Sequence, residues 1–137
     1  MKNYKRIAVY AAVLMLFLVT WLMMGASCSF TSANVKNALM TTGIDDNYKP
    51  VDNVTEFNVG DMAYMSAELH NAPDDTTITI IWYCDGAELD RVSIDNQGQS
   101  DTMLSSNMGL PQAGDYTVEV YIDDREKPHQ TVDFTVS

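Results

Sequence analysis

Four stretches of the chain alternate apolar and polar residues with a period of two. Ala63, Met65, Ala67 and Leu69 share one face, opposite Tyr64, Ser66 and Glu68. Ile78, Ile80, Trp82 and Cys84 share another, opposite Thr79, Ile81 and Tyr83. Tyr116, Val118, Val120 and Ile122 oppose Thr117, Glu119 and Tyr121, and Val132, Phe134 and Val136 oppose Thr131, Asp133 and Thr135. Successive side chains of a strand point to opposite faces, so this pattern predicts half-buried β-strands. Turn signals bracket them at short intervals: Gly43, Asp52-Asn53, Gly60-Asp61, Asn71-Ala72-Pro73, Asp85-Gly86, Asn96-Gln97-Gly98, Ala113-Gly114 and Asp123-Asp124. Short strands between regular turn clusters predict an all-β fold with two antiparallel sheets packed face to face over residues 35–137. Helical periodicity surfaces only weakly, at Val35–Met40.

Two details narrow the sandwich to an immunoglobulin-like one. Trp82 lies in the most apolar strand, where such folds bury a tryptophan, and Gly114-Asp115-Tyr116-Thr117-Val118 resembles the tyrosine corner. Val118 stands where antibody domains carry the second cysteine, so core packing alone must hold the sheets together. Leu69-His70-Asn71-Ala72-Pro73, Thr77, Trp82-Tyr83, Gly86, Leu110-Pro111, Gly114-Asp115-Tyr116 and Tyr121-Ile122-Asp123 together resemble a β-sandwich domain of uncharacterised bacterial and archaeal lipoproteins and membrane-anchored proteins. The resemblance covers roughly the second half of the chain and departs at Asp123-Asp124-Arg125, where Asp-Gly is usual. It implies an extracytoplasmic accessory or binding domain.

The N-terminus follows a different pattern. Lys2, Lys5 and Arg6 precede an uncharged apolar run from Ile7 to Met24, and Gly25-Ala26-Ser27-Cys28 follows. This resembles the signal peptide and lipobox of bacterial lipoproteins, with Gly25 standing where leucine is usual; the resemblance implies a lipid on Cys28. An uncleaved signal-anchor is the alternative, because the run is long enough to span a bilayer with its basic end inside. Cleavage after Ala33, releasing a soluble protein, is the third possibility. All three deliver the domain to the extracytoplasmic face. Residues 1–27 are thus expected to be a signal peptide or anchor, 28–34 a short tether and 35–137 the sandwich. Ser29 lacks the aspartate of an inner-membrane retention signal.

Charge sets the partners. Residues 1–27 hold no acidic residue; the remainder sets five basic residues against all 19 acidic ones, a net charge of −14. Such a domain is soluble and repelled by nucleic acid and anionic head groups, so no nucleic-acid partner is expected.

Candidate chemistry is sparse. Cys84 reads as a small buried residue, with no histidine near it in sequence. His70 and His129, with Cys84 and a methionine, match a blue-copper ligand set in composition but not in clustering. Asp45-Asp46-Asn47 and Asp123-Asp124 with Glu126 offer oxygen ligands for calcium without the spacing of an EF-hand. Asn53-Val54-Thr55 fits a glycosylation sequon. No G-x-S-x-G, phosphate loop or zinc spacing occurs. Neither an enzyme nor a cofactor is expected.

The surface of interest is aromatic. Alternation turns Tyr83 and Tyr121 outward on neighbouring strands, beside Ile81 and Glu119. Outward tyrosines supply rigid apolar area with a polar tip, suited to binding a protein or a sugar, and the alternative is a cross-strand pair that only stabilises the sheet. The expected function is a lipid-anchored module contacting another envelope protein, and the alternative is a spacer domain without a ligand.

Overall fold

The computed structural model describes residues 32–137, so the apolar run and Cys28 lie outside the described residues. Every regular element within them is a strand: β1 (Asn34–Thr41), β2 (Glu56–Phe57), β3 (Met62–His70), β4 (Thr77–Cys84), β5 (Ala87–Asp95), β6 (Thr102–Gly109), β7 (Gly114–Ile122) and β8 (Gln130–Val136). They form a three-stranded sheet ordered β1-β3-β6 and a five-stranded sheet ordered β2-β8-β7-β4-β5. All pairings are antiparallel except β2 with β8.

The inward residues of both sheets meet in one core. Trp82, Val118, Val120, Ile80 and Ile122 from the larger sheet and Ala63, Met65 and Leu69 from the smaller are nearly or wholly excluded from solvent. Phe134 stands at the centre of the aromatic packing, edge-on to Trp82 with ring centroids 6.2 Å apart and stacked on Tyr116 at 5.1 Å. A buried indole N–H needs an acceptor, and Trp82 Nε1 donates to Ser106 Oγ at 3.0 Å across the gap between the sheets. Tyr116 donates its hydroxyl to the Gln112 carbonyl at 2.8 Å, which closes the tyrosine corner.

The weak helical signal at Val35–Met40 belongs to a strand. The register of β1 on β3 slips by one residue between Lys36 and Leu39, and Asn37 takes a φ of 53°. The bulge lets Val35 and Met40, an odd number of residues apart, both reach the core. Residues 32–34, expected as tether, are built into the sandwich: Ala33 is buried, Asn34 opens β1, and Ser32 Oγ donates to the Asn71 carbonyl at 2.9 Å.

Hairpin β4–β5 turns on Asp85-Gly86, both with positive φ, as a two-residue turn of this hand requires. The connection between β7 and β8 is longer, running from Asp123 to His129. Gly114 has a steric reason to be glycine, since a Cβ there would lie 2.8 Å from Asp85 Oδ2 and 2.9 Å from Cys84 Sγ. The chain enters the sandwich at the His70–Thr77 end and finishes β8 beside Gly114, at the opposite end.

The four sheet edges differ. Strand β1 is bulged and β2 is two residues long. Strand β5 carries Glu88, Asp90, Arg91 and Asp95 and is itself irregular opposite Trp82 and Tyr83. Strand β6 pairs with β3 without a break from Met62–Gly109 to Leu69–Thr102 and has no charged residue.

Candidate functional site

The outer face of the five-stranded sheet holds the residues singled out by alternation. Trp82 opposite Val118 faces the core, which turns Thr79, Ile81 and Tyr83 outward on β4 and Thr117, Glu119 and Tyr121 outward on β7. Ile81 stands between Glu119 on one side and Arg91 on the other.

The register separates the two tyrosines. Tyr83 lies opposite Thr117 and Tyr121 opposite Thr79, so the row of Ile81 and Glu119 comes between them. Four residues along a strand put their backbones about 13 Å apart, beyond the reach of a facing or diagonal pair. Their backbones are therefore not side by side, although both side chains reach toward Glu119 between them. Alternation assigns a residue to a face and leaves its row open, and the row here depends on how β7 slides against β4.

Ile81 also departs from its expected role. It points away from the core yet is only 4% exposed. Long side chains around it, among them Arg91, Tyr83 and Tyr121, line a surface hollow of about 410 Å³ of which Ile81 is the apolar floor. Ile81 is thus a covered residue beneath the surface and not part of the exposed contact area.

Glu119 organises the polar cover. It accepts the Tyr121 hydroxyl at 2.6 Å, and this bond to the carboxylate, with burial, pushes the Tyr121 pKa up to about 12. Burial first, and then the Glu119 charge, raises Tyr83 as well. A carboxylate opposes a second negative charge beside it, so both phenols are held neutral. Arg91 is gripped by Glu88 through two parallel bonds of 2.9 Å, Nε to Oε1 and Nη2 to Oε2, which lowers the Glu88 pKa. Nearby, Thr117 Oγ1 donates to Asp133 at 2.7 Å. The face therefore offers two tyrosine rims, a fixed guanidinium and a carboxylate around an apolar floor.

The other candidates are dispersed. Cys84 is buried and receives the Gln112 side-chain amide at 3.2 Å, at the end of β4 remote from both histidines. His70 lies between Glu68 and Asp101 at 3.0 and 3.2 Å. His129 Nδ1 faces the Arg125 guanidinium at 3.5 Å; arginine can only donate, so Nε2 carries the proton and donates to Asn34 Oδ1 at 2.7 Å. Burial, with Arg125, lowers the His129 pKa. Asp45 Oδ1 accepts the backbone N–H of Asn47 and of Lys49, and Asp123 Oδ1 accepts that of Thr77. Among the described residues no three His, Cys, Asp or Glu side chains are grouped to hold a metal ion. Sequence reasoning missed Arg91 and Glu88, whose strand carries no clear alternation. It also missed Ser106, though a core tryptophan signals that an acceptor must lie opposite.

No family model matches the chain, and no curated protein does. Solved structures do. An immunoglobulin-like protein of Pseudomonas aeruginosa aligns with a TM-score of 0.52 at 16% identity, over 82% of this chain and 100% of its own. An alkylpurine DNA glycosylase of Pseudomonas fluorescens, solved on DNA with an abasic-site analogue, aligns at 0.51 and 11%, over 85% of this chain and 33% of its own. A CARDB domain from Pyrococcus furiosus, solved with di-metal ions, aligns at 0.48 and 13%, over 82% and 94%. At these identities the shared property is the fold: an immunoglobulin-like β-sandwich.

Proposed function

We propose that this immunoglobulin-like chain is a lipid-anchored extracytoplasmic accessory module that binds another envelope protein through the outer face of its five-stranded sheet. The observation that carries the reading is the tyrosine-rimmed hollow over Ile81, with Arg91 in its lining held by Glu88 and Tyr121 held by Glu119 on its own strand. Aromatic rims and an arginine are the side chains that most often dominate a protein interface. Anchoring through Cys28 rests on the basic, apolar and small-residue succession before it. DNA contact is not proposed, because the charge of −14 after residue 27 repels a polyanion. No catalysis is proposed either.

A spacer without a ligand is the second reading. It is favoured by the internal pairing of Tyr121 with Glu119 and of Arg91 with Glu88, which leaves these polar groups already satisfied.

The test is site-specific photo-cross-linking in intact cells from positions 83 and 121, with the adduct identified by mass spectrometry. One defined envelope protein, captured from both positions and lost in Tyr83→Ser with Tyr121→Ser, is the expected result. Capture of lipid or of many unrelated proteins supports the spacer. Mass spectrometry of the mature N-terminus should find a diacylated Cys28; an intact Met1 would remove the lipid.

A further inference from the structure

We infer that β6 is a docking edge for an extended peptide, apolar at alternate positions and basic between them, which adds as a further strand to the three-stranded sheet. The docking edge belongs to the three-stranded sheet and shares no residue with the tyrosine-rimmed hollow, so the inference does not depend on that face.

The first observation is an open row of backbone groups. Strand β6 ends the order β1-β3-β6, so among the described residues the N–H and C=O groups on its far side have no strand beside them. Among the described residues no loop backbone hydrogen-bonds to Thr102–Gly109 in place of one. Its unbroken register with β3 keeps the strand regular, the form a new strand can copy.

The second is a contrast among edges. Exposed edges are normally spoiled by bulges, short length, charge or proline. Strands β1, β2 and β5 each carry one or more of these, and β6 (TMLSSNMG) carries none.

The third is a place for side chains. A groove of about 330 Å³ runs beside the first half of β6, with Leu69, Ile78, Ile94 and Leu104 at its floor and Tyr48 and Met103 at its sides. An added strand points every second side chain to one face, which is why its apolar residues alternate.

Charge selects the occupant. Asp95 is the ionisable acid in the groove lining, in a domain whose residues after 27 carry a net −14. A basic segment is drawn to it, whereas a second copy of the chain brings the same negative surface against itself.

The test uses the full chain in detergent and an array of synthetic peptides about eight residues long, within the usual length of a strand. Each has valine or leucine at alternate positions, with lysine or aspartate between. Hydrogen exchange of Thr102–Gly109 should slow on adding a lysine member, and aspartate members should bind at least about tenfold more weakly. Asn107 is exposed on β6, and Asn107→Lys places a guard residue on the edge. It should weaken binding at least about tenfold with the unfolding temperature unchanged, while Tyr83→Ser with Tyr121→Ser leaves binding intact. The inference is overturned by no binding up to about 1 mM of any member. Protection confined to β5 or to the outer tyrosine face, with Thr102–Gly109 unchanged, overturns it as well. Protection of β6 that rises with protein concentration alone would assign the edge to a second copy instead.

Discussion

Ile81 and Trp82 are neighbours in the chain, and both are closed to solvent, by different means. Trp82 is enclosed by an opposing sheet, with Phe134 against its ring and Ser106 on its N–H. Among the described residues no sheet lies over Ile81. It is covered by flexible side chains of its own face, themselves pinned by Glu88 and Glu119. The first kind of burial is fixed by the fold, because opening it means separating the sheets. The second rests on a few side-chain hydrogen bonds and can be rearranged with the backbone still, which is what a surface that receives a partner requires.

The comparison breaks most visibly at Trp82. Trp82→Ala empties an enclosed site and leaves Ser106 without its donor, so it should cost about 3–5 kcal/mol in denaturant unfolding. A loss below about 1 kcal/mol would mean that the sheets do not close on this residue. Ile81→Ala should cost less, about 2 kcal/mol, because the mobile cover can settle into the space. Equal losses at the two positions would erase the distinction between the faces.

The smallest effect is electrostatic and the most specific. The folded pKa of Tyr121 is raised to about 12 from an ordinary value of 10.0, by Glu119 first. A raised pKa means that the stabilisation it brings is complete below pH 10.0 and lost as pH climbs through about 12. Ultraviolet titration should show a late phenol that Glu119→Gln returns toward the ordinary range with the fold intact. Titration of Tyr121 with the exposed tyrosines would mean that the cover over Ile81 is not formed.

Strands β3, β4, β7 and β8 were legible because each keeps an unbroken apolar row on the face turned to the core. Strand β5 was not, since most of its residues are exposed and neither face is wholly dry. Strand β6 sets Ser106 in the dry row for the sake of Trp82, which blurs its alternation. In β1 the bulge at Asn37 shifts the parity midway. The tyrosine corner was legible down to the residue because it is a local motif. The candidate site was legible in part: the faces of Tyr83, Glu119 and Tyr121 follow from alternation. Their rows, the covering of Ile81 and the arrival of Arg91 depend on register with strands distant in sequence.

The entry of the chain at one end of the sandwich and its exit at the other has a mechanical side. A pull applied between Asn34 and Val136 runs along the strands, parallel to β1 and β8. The backbone bonds joining β1 to β3 and β7 to β8 are then loaded in shear and must yield together, instead of being peeled open one at a time. A domain strung this way bears tension along its long axis. A tug sideways on the edge strand β6, by contrast, loads its bonds to β3 so that they part in sequence.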